Sequence, residues 1–307
     1  MKSKAFAKIN LGLKVLGKRP DGFHDIETIF ARVGIYDELE FRVRQDGEIR
    51  VEIEGAQIPQ KKNLVWRAAW LLQKSCPRPR SGVAAKKIGV EIKLKKKIPL
   101  GAGLGGGSSD AARTLEVLNK LWKLNLPKEK LKSLAISLGS DVPFFLEKSV
   151  CRAQGRGEVL EPIALPKRFP REVLIVVPGM AVSTVWAYGE IPPSLATLGT
   201  PPFIRPSPKL RRTIAKGREK KTPFCKGGRP ELVEGRGDFT NDFEKIVFRK
   251  FPEIRNIKKA LEKAGAEIAS LSGSGSAVFG LFRKRPSQKL AQGLERLGQV
   301  FCVKIRG

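Results

Sequence analysis

The first part of the chain alternates apolar and polar residues with a period of two. This spacing is typical of a β-strand, and its apolar positions include Ile9, Leu11, Leu13 and Val15. The same alternation predicts strands over residues 26–43, 49–55 and 89–98, and Pro99 is expected to end the last of them. We therefore predict that the N-terminal part is rich in β-structure.

Other segments have apolar residues at helical spacing. They are residues 63–76, 108–124, 127–140, 241–266 and 286–298. Asn63 is placed to cap the first helix, and Ser108 or Ser109 to cap the second. Buried strands are predicted at 172–179 and 300–305, and residues 268–282 indicate two strands joined by a Gly/Ser turn. Since helices and strands mix without regular βαβ alternation, the predicted class is α+β.

Residues 201–238 have a different composition. They are rich in Pro, Lys, Arg and Gly and show little hydrophobic periodicity. We interpret them as a mobile surface insertion, and we predict that deleting much of the segment leaves activity intact.

The charge of the chain is strongly basic. Lys and Arg total 59 against 30 Asp and Glu, a net charge of +29. Such a balance attracts polyanions, so a nucleic-acid-binding protein is one alternative. The basic runs at 92–97 and 216–221 contain no interleaved aromatic residues, however, and we interpret most of this charge as solvated surface. No specific nucleic-acid partner is expected.

Composition also indicates the compartment. The four cysteines are scattered without CxxC spacing, which favours a reducing cytoplasm and argues against structural zinc. No run of 18 apolar residues predicts a membrane span, and the alternating N-terminus does not resemble a signal peptide. We predict a cytoplasmic protein without a metal site of its own, either a monomer or a homodimer.

The segment PLGAGLGGGSSDAA, residues 99–112, is the strongest candidate for chemistry. Gly101, Gly103 and Gly106 match a dinucleotide-binding fingerprint, but no acidic residue ends a strand about 20 residues later. The spacing also approaches a Walker loop, but Gly107 stands where that loop needs lysine. A plain glycine-rich turn is the remaining alternative. Glycines followed by a helix start still suit phosphate, because backbone N–H groups and the helix dipole both face the anion.

These residues resemble the central motif of the GHMP kinases, the superfamily of galactokinase, homoserine kinase and mevalonate kinase. The GLGGGSSDAA form is similar to one branch, whose members phosphorylate 4-diphosphocytidyl-2-C-methyl-D-erythritol in non-mevalonate isoprenoid synthesis. Further segments resemble that branch in order along the chain. They are AKINLGLKVLGKRPDGFHDIETIF, GSDVPFFL, AQGRGE, STVWAY, NDFE and LSGSGSAVFGLF.

The resemblance implies a two-domain kinase. An ATP-binding domain with ribosomal-protein-S5-like topology would occupy residues 1–155, and a C-terminal α+β sandwich residues 156–307. ATP would bind with Mg²⁺ and be held by Pro99, Leu100, Gly101, Ala102, Gly103, Leu104, Gly105, Gly106, Gly107, Ser108, Ser109 and Asn63. For Asn63 the helix cap remains an equal alternative.

The resemblance also implies residue roles. Asp141 would take or orient the hydroxyl proton, and Lys8 would lie beside it and stabilise charge on the transferring group. The alternative for Asp141 is a turn or helix cap, and for Lys8 a solvated surface charge. SGSGS, residues 272–276, is expected close to the glycine loop.

The second substrate would be bound at its other end by aromatic residues. The resemblance implies that His24 recognises cytosine, that Phe23 and Tyr188 stack on its faces, and that Thr184 and Asn10 lie in the same site. The alternatives are a structural histidine and a core tyrosine. A GHMP kinase acting on homoserine or mevalonate would need no stacking pair, so these residues discriminate between the enzyme candidates.

Overall fold

Strands of both halves of the chain join in one sheet. The computed structural model describes residues 1–75, 88–192 and 239–306. In that part of the chain the strands are β1 Lys2–Lys18, β2 His24–Arg44, β3 Ile49–Glu54, β4 Gly89–Lys95, β5 Cys151–Gln154, β6 Val159–Pro162, β7 Glu172–Val177, β8 Ile268–Leu271, β9 Val278–Phe282 and β10 Gln299–Arg306. The predicted insertion at 201–238 lies outside the described residues.

The helices cover one side of this sheet in two groups. They are α1 Leu64–Lys74, α2 Gly106–Leu121, α3 Lys128–Leu138, α4 Thr184–Gly189, α5 Phe243–Lys250, α6 Pro252–Lys263 and α7 Gln288–Leu294. Short 3-10 turns occupy Gln60–Lys62, Pro143–Leu146 and Glu295–Leu297. The predicted α+β class is confirmed. The predicted helix over 241–266 is two helices, because Pro252 cannot continue the hydrogen bonding of α5 and instead begins α6.

The sheet has the strand order β3-β4-β2-β10-β7-β9-β8. β1 pairs with β2 along nearly its whole length, and the β5–β6 hairpin adds to the first half of β2. β3 and β4 run parallel, and the other pairings between the ten named strands are antiparallel. β10 pairs with β2 through Arg306 and Ile305 and with β7 along six residues, so the last strand joins the two halves.

The face of β1 and β2 that meets the helices contacts two separate cores. Ala5 and Phe30 belong to the core beneath α1, α2 and α3. Leu13, Val15 and Ile26 belong to the core beneath α5 and α6. Lys8 and Asn10 lie on β1 between these two groups of apolar residues.

Candidate active site

Lys8 is a buried lysine at the centre of β1. Its side chain is 4% exposed, and its Nζ lies 2.5 Å from Asn10 Oδ1 and 3.5 Å from Asp141 Oδ2. Nζ also lies 5.1 Å from the centroid of the Phe30 ring. A buried ammonium is stable only where such partners replace water. The surface-charge alternative for Lys8 is therefore wrong, and the predicted proximity of Lys8 to Asp141 is confirmed.

A chain of hydrogen bonds fixes Asn10 beside Lys8. Asn10 Nδ2 donates to Thr28 Oγ1 over 2.9 Å, and Thr28 Oγ1 donates to the Gly12 carbonyl over 2.6 Å. The pairing of β1 with β2 shifts register between Asn10 and Leu13. This irregularity brings Leu13 into the apolar core beneath α5, so the pair of buried polar residues Lys8 and Asn10 is followed by an apolar residue.

Asp141 lies in the loop between α3 and the turn at Pro143–Leu146. Its side chain is 34% exposed, so the carboxylate reaches solvent, on a side of the site that we call the cleft, while Lys8 is enclosed. A Cβ placed on Gly157 would lie 3.7 Å from Asp141 Oδ1, which brings the AQGRGE segment against the carboxylate. Arg32, the cross-strand partner of Lys8, donates to the Phe145 and Glu147 carbonyls and so holds the far end of this loop.

The glycine loop lies against Lys8 from the other side. The Lys8 N–H donates to the Leu104 carbonyl over 2.9 Å. Gly105 has a φ of +69°, and a Cβ there would come within 3.0 Å of both Lys8 Cγ and Phe145 Cζ. Glycine at this position therefore allows the backbone to cross directly over the lysine.

The start of α2 differs from the prediction. Ser108 and Ser109 do not cap it; Gly105 is the N-cap residue, and the helix begins at Gly106. The Ser109 N–H already donates to the Gly105 carbonyl over 2.9 Å. The N–H groups of the preceding helical residues, Gly106 to Ser108, therefore have no partner within the helix. This arrangement suits a phosphate better than a serine cap, which would use one of those N–H groups.

The SGSGS turn is packed against the glycine loop, as predicted. Ser272 Oγ donates to the Gly103 carbonyl over 3.0 Å, and the Ala277 N–H donates to the Ala102 carbonyl over 3.1 Å. A Cβ on Gly103 would lie 2.0 Å from the Ser272 carbonyl oxygen. Asn241, from the NDFE segment, holds the turn by donating to the Leu271 and Gly273 carbonyls, each over 2.8 Å.

The residues predicted to bind a base are only partly together. His24 and Tyr188 stack with ring centroids 5.1 Å apart and an interplanar angle of 27°. Burial and then the charge of Asp141 raise the pKa of Tyr188, while burial and then Lys18 lower the pKa of His24. Phe23 is 50% exposed, with the Arg156 guanidinium 4.7 Å above its ring, and is not stacked on Tyr188.

Two further predicted residues have defined local contacts. Thr184 Oγ1 lies 3.0 Å from Ser274 Oγ, which links α4 to the SGSGS turn. Asn63 Oδ1 accepts from the Val65 N–H over 2.9 Å, so the helix-cap interpretation is confirmed. A Cβ on Gly107 would lie 3.6 Å from Leu64 Cδ1, which places the start of α1 beside the glycine loop. The contact of Asn63 with adenine stays a prediction.

The burial of Lys96 near the glycine loop was not predicted. Lys96 belongs to the basic run interpreted as solvated surface, but its side chain is 3% exposed and contacts Asp37 and Asp110. The alternation of β4 could have indicated this burial, because Val90, Ile92 and Leu94 are buried and Lys96 is the next residue in the same alternation.

In the described ranges no helix is long and apolar enough to cross a membrane. Within the same residues no group of three or more His, Cys, Asp or Glu side chains could hold a metal ion.

Comparison with known proteins identifies what this arrangement is similar to. The model of the GHMP kinase N-terminal domain matches residues 63–148, and that of the GHMP kinase C-terminal domain matches residues 225–299. The second match includes part of the segment interpreted as an insertion.

Two relatives and one solved structure are named as kinases of the same compound. The 4-diphosphocytidyl-2-C-methyl-D-erythritol kinase of Prosthecochloris aestuarii is 44% identical over 281 residues, 91% of this chain and 88% of that protein. The kinase of that name from Thermodesulfovibrio yellowstonii is 40% identical over 291 residues, 94% of this chain and 92% of that protein. A crystal structure of 4-(cytidine 5'-diphospho)-2C-methyl-D-erythritol kinase superposes with a TM-score of 0.75 at 33% identity, covering 100% of both chains.

Proposed function

Because the chain belongs to the GHMP kinases, and within them to the 4-diphosphocytidyl-2-C-methyl-D-erythritol kinases, we propose that it transfers the γ-phosphoryl group of ATP to the 2-hydroxyl of that compound. The products are the 2-phosphate and ADP, and the reaction belongs to non-mevalonate isoprenoid synthesis. The contact between Lys8 and Asp141 beneath the glycine loop carries the proposal, because it brings a cation, a carboxylate and a phosphate-binding backbone to one point.

The carboxylate of Asp141 takes or orients the proton of the acceptor hydroxyl. It is exposed enough to meet a hydroxyl in the cleft, and Lys8 fixes its position from below. Lys8 donates to Asn10 and lies against Gly105, so its ammonium faces the end of the loop where the transferred group would sit. There it stabilises the charge that develops during transfer.

The backbone of the glycine loop and the first turn of α2 hold the triphosphate. Gly103 and Gly105 let this backbone pack directly against Ser272 and Lys8, because a Cβ at either position would collide with them. Mg²⁺ bound with the nucleotide would offset phosphate charge. We propose that Asn63 and the start of α1 contact the adenine, since they lie beside Gly107.

His24 and Tyr188 bind the cytosine. Their ring centroids are 5.1 Å apart, whereas a base held between two rings needs about 7 Å, twice an ordinary carbon contact. The base therefore enters by separating His24 from Tyr188, or it stacks on one of them with Phe23 closing the other face. Thr184, beside Ser274, and Asn10, beside Lys8, would contact the part of the substrate between the base and the acceptor hydroxyl.

The test is a coupled assay of ADP release. The expected result is turnover with 4-diphosphocytidyl-2-C-methyl-D-erythritol and little with homoserine or mevalonate. Absence of turnover with the first compound would refute the proposal, and preferential turnover of another alcohol would reassign the substrate. Salt-sensitive retention of DNA or RNA without any ATP turnover would favour the nucleic-acid alternative.

A further inference from the structure

A buried cluster of three charged residues lies under the start of α2. Lys96 Nζ lies 2.5 Å from Asp37 Oδ2 and 2.9 Å from Asp110 Oδ2. The side chains of Lys96 and Asp110 are 3% exposed and that of Asp37 is fully buried. Burying three charged groups costs free energy, which is recovered only where their ion pairs and hydrogen bonds have good geometry. A cluster of this kind beside the glycine loop therefore suggests a role in positioning that loop.

The cluster joins the helix that carries the loop to the sheet. Asp110 belongs to the second turn of α2, Asp37 to β2, and Lys96 follows directly after β4. A Cβ on Gly106 would lie 3.2 Å from Lys96 Nζ and 3.0 Å from Ile98 Cγ2, so the ammonium reaches the first residue of the helix.

The two carboxyl groups are not equivalent. Asp37 accepts from Lys96 Nζ and from the backbone N–H groups of Lys97 and Ile98, at 2.5 to 2.8 Å. Asp110 accepts from Lys96 alone, and its Oδ1 is buried without a hydrogen-bond partner. Asp110 therefore has the fewer donors of the two, and a proton on this carboxyl costs the cluster the fewest hydrogen bonds. With that proton the cluster is neutral; without it, one uncompensated negative charge lies beneath the phosphate loop.

We propose that Asp110 is a positioning residue for the nucleotide, which acts through Lys96 and Asp37 to fix the first turn of α2 under the triphosphate. The inference rests on the proposed function, since it assumes that the loop binds ATP. What the site needs from Asp110 is an acceptor of the right shape for Lys96, and the negative charge is not needed.

Two substitutions separate shape from charge. Asp110→Asn keeps an acceptor for Lys96, while Asp110→Ala removes it. We expect Asp110→Ala to raise the KM for ATP about tenfold or more, because misplaced binding groups lose affinity steeply. The KM for the acceptor alcohol should stay within about twofold, and Asp110→Asn should restore the KM for ATP to within about twofold of the original.

The matched control is Glu172→Ala. Glu172 is a buried acid of β7, and its Oε1 lies 2.7 Å from Lys304 Nζ, outside the candidate site. We expect this variant to lower the melting temperature while leaving both KM values unchanged. If Asp110→Ala does not fold, Lys96→Gln takes its place, and the same rise in the KM for ATP is expected.

The outcomes are distinct. A fall in melting temperature for Asp110→Ala with an unchanged KM for ATP, as in the control, overturns the inference and leaves a merely structural cluster. Equal loss in Asp110→Ala and Asp110→Asn also overturns it, because the charge would then be required. If the unsubstituted chain neither turns over ATP nor binds it in titration calorimetry, the proposed function itself has failed.

Discussion

Replacing Asp110 by Asn should make the stability of the protein less dependent on pH. Burial raises the pKa of Asp110 to about 7, from an ordinary value of 3.8, despite the attraction of Lys96. The difference of about 3 units corresponds to about 4 kcal/mol, since each unit is worth about 1.4 kcal/mol. The carboxyl binds its proton more tightly in the folded state, so the folded state is favoured at low pH and loses this advantage as the pH rises through 7.

The assay is urea denaturation of both proteins at a series of pH values. Between pH 5 and pH 8.5 the folded chain with Asp110 should lose about 3 kcal/mol of stability through this group, following the same linkage. Asn cannot titrate, so the difference in the free energy of unfolding between the variant and the parent should grow in the variant's favour by that amount. Titrating groups outside this cluster, including His24 and Asp242, are present in both proteins and cancel in the difference.

Parallel stability curves would refute the reasoning, because Asp110 would then titrate alike in the folded and unfolded chains. A difference that grows with the opposite sign would mean that the carboxylate is the favoured folded form. In that case the assignment of the proton to Asp110 over Asp37 would be wrong.

The remaining predictions address the loop, the reacting carboxylate and the base. Gly103→Ala should lower the free energy of unfolding by about 3 kcal/mol or more, measured by urea denaturation, because its Cβ would lie 2.0 Å from a carbonyl oxygen at a φ of +76°. Gly107→Ala is the control: its Cβ would have 3.6 Å of clearance, and the loss should be less than about 1 kcal/mol. Asp141→Asn should lower kcat about 10²- to 10⁴-fold with ATP affinity by calorimetry unchanged. The control is Asp46→Asn, which should keep full activity, because Asp46 is an exposed acid between β2 and β3 that pairs with Arg44. A near-normal kcat would remove Asp141 from the reaction. Tyr188→Ala should raise the KM for the cytidyl substrate about 5- to 100-fold and leave the KM for ATP unchanged. Tyr188→Phe keeps the ring, so both of its KM values should be close to those of the parent protein. Equal changes in both KM values for Tyr188→Ala would argue against base stacking.

The elements of the sheet were largely predictable, because alternation along a strand is a local property. The predicted strands at 26–43 and 49–55 correspond to β2 and β3. Alternation does not tell whether both faces of a strand are covered. In β1, Lys8 and Asn10 are 4% and 1% exposed, because the glycine loop packs over Lys8 at Gly105 and the SGSGS turn packs over Asn10 at Gly273.

Helix limits and side-chain pairings were harder to predict. Ser108 and Ser109 are good caps by residue type, but Gly105 can adopt a positive φ and so the helix begins earlier. No local pattern indicates that His24 meets Tyr188, because the two residues are far apart in the sequence and their contact depends on how α4 packs on the sheet. For the same reason, β10 could be predicted as a strand without showing that it joins β2 to β7.

The glycine loop has Gly107 where a Walker loop has lysine, but two lysines from other segments approach the start of α2. A Cβ on Gly105 would lie 3.2 Å from Lys8 Cε, and a Cβ on Gly106 would lie 3.2 Å from Lys96 Nζ. Lys96 is enclosed by two carboxyl groups at 2.5 and 2.9 Å, so its charge is compensated where it stands. Lys8 has one carboxylate partner, at 3.5 Å, and that carboxylate is itself open to the cleft. The charge of Lys8 is therefore the less compensated of the two, which supports the proposal that Lys8, and not Lys96, acts on the transferring phosphoryl group.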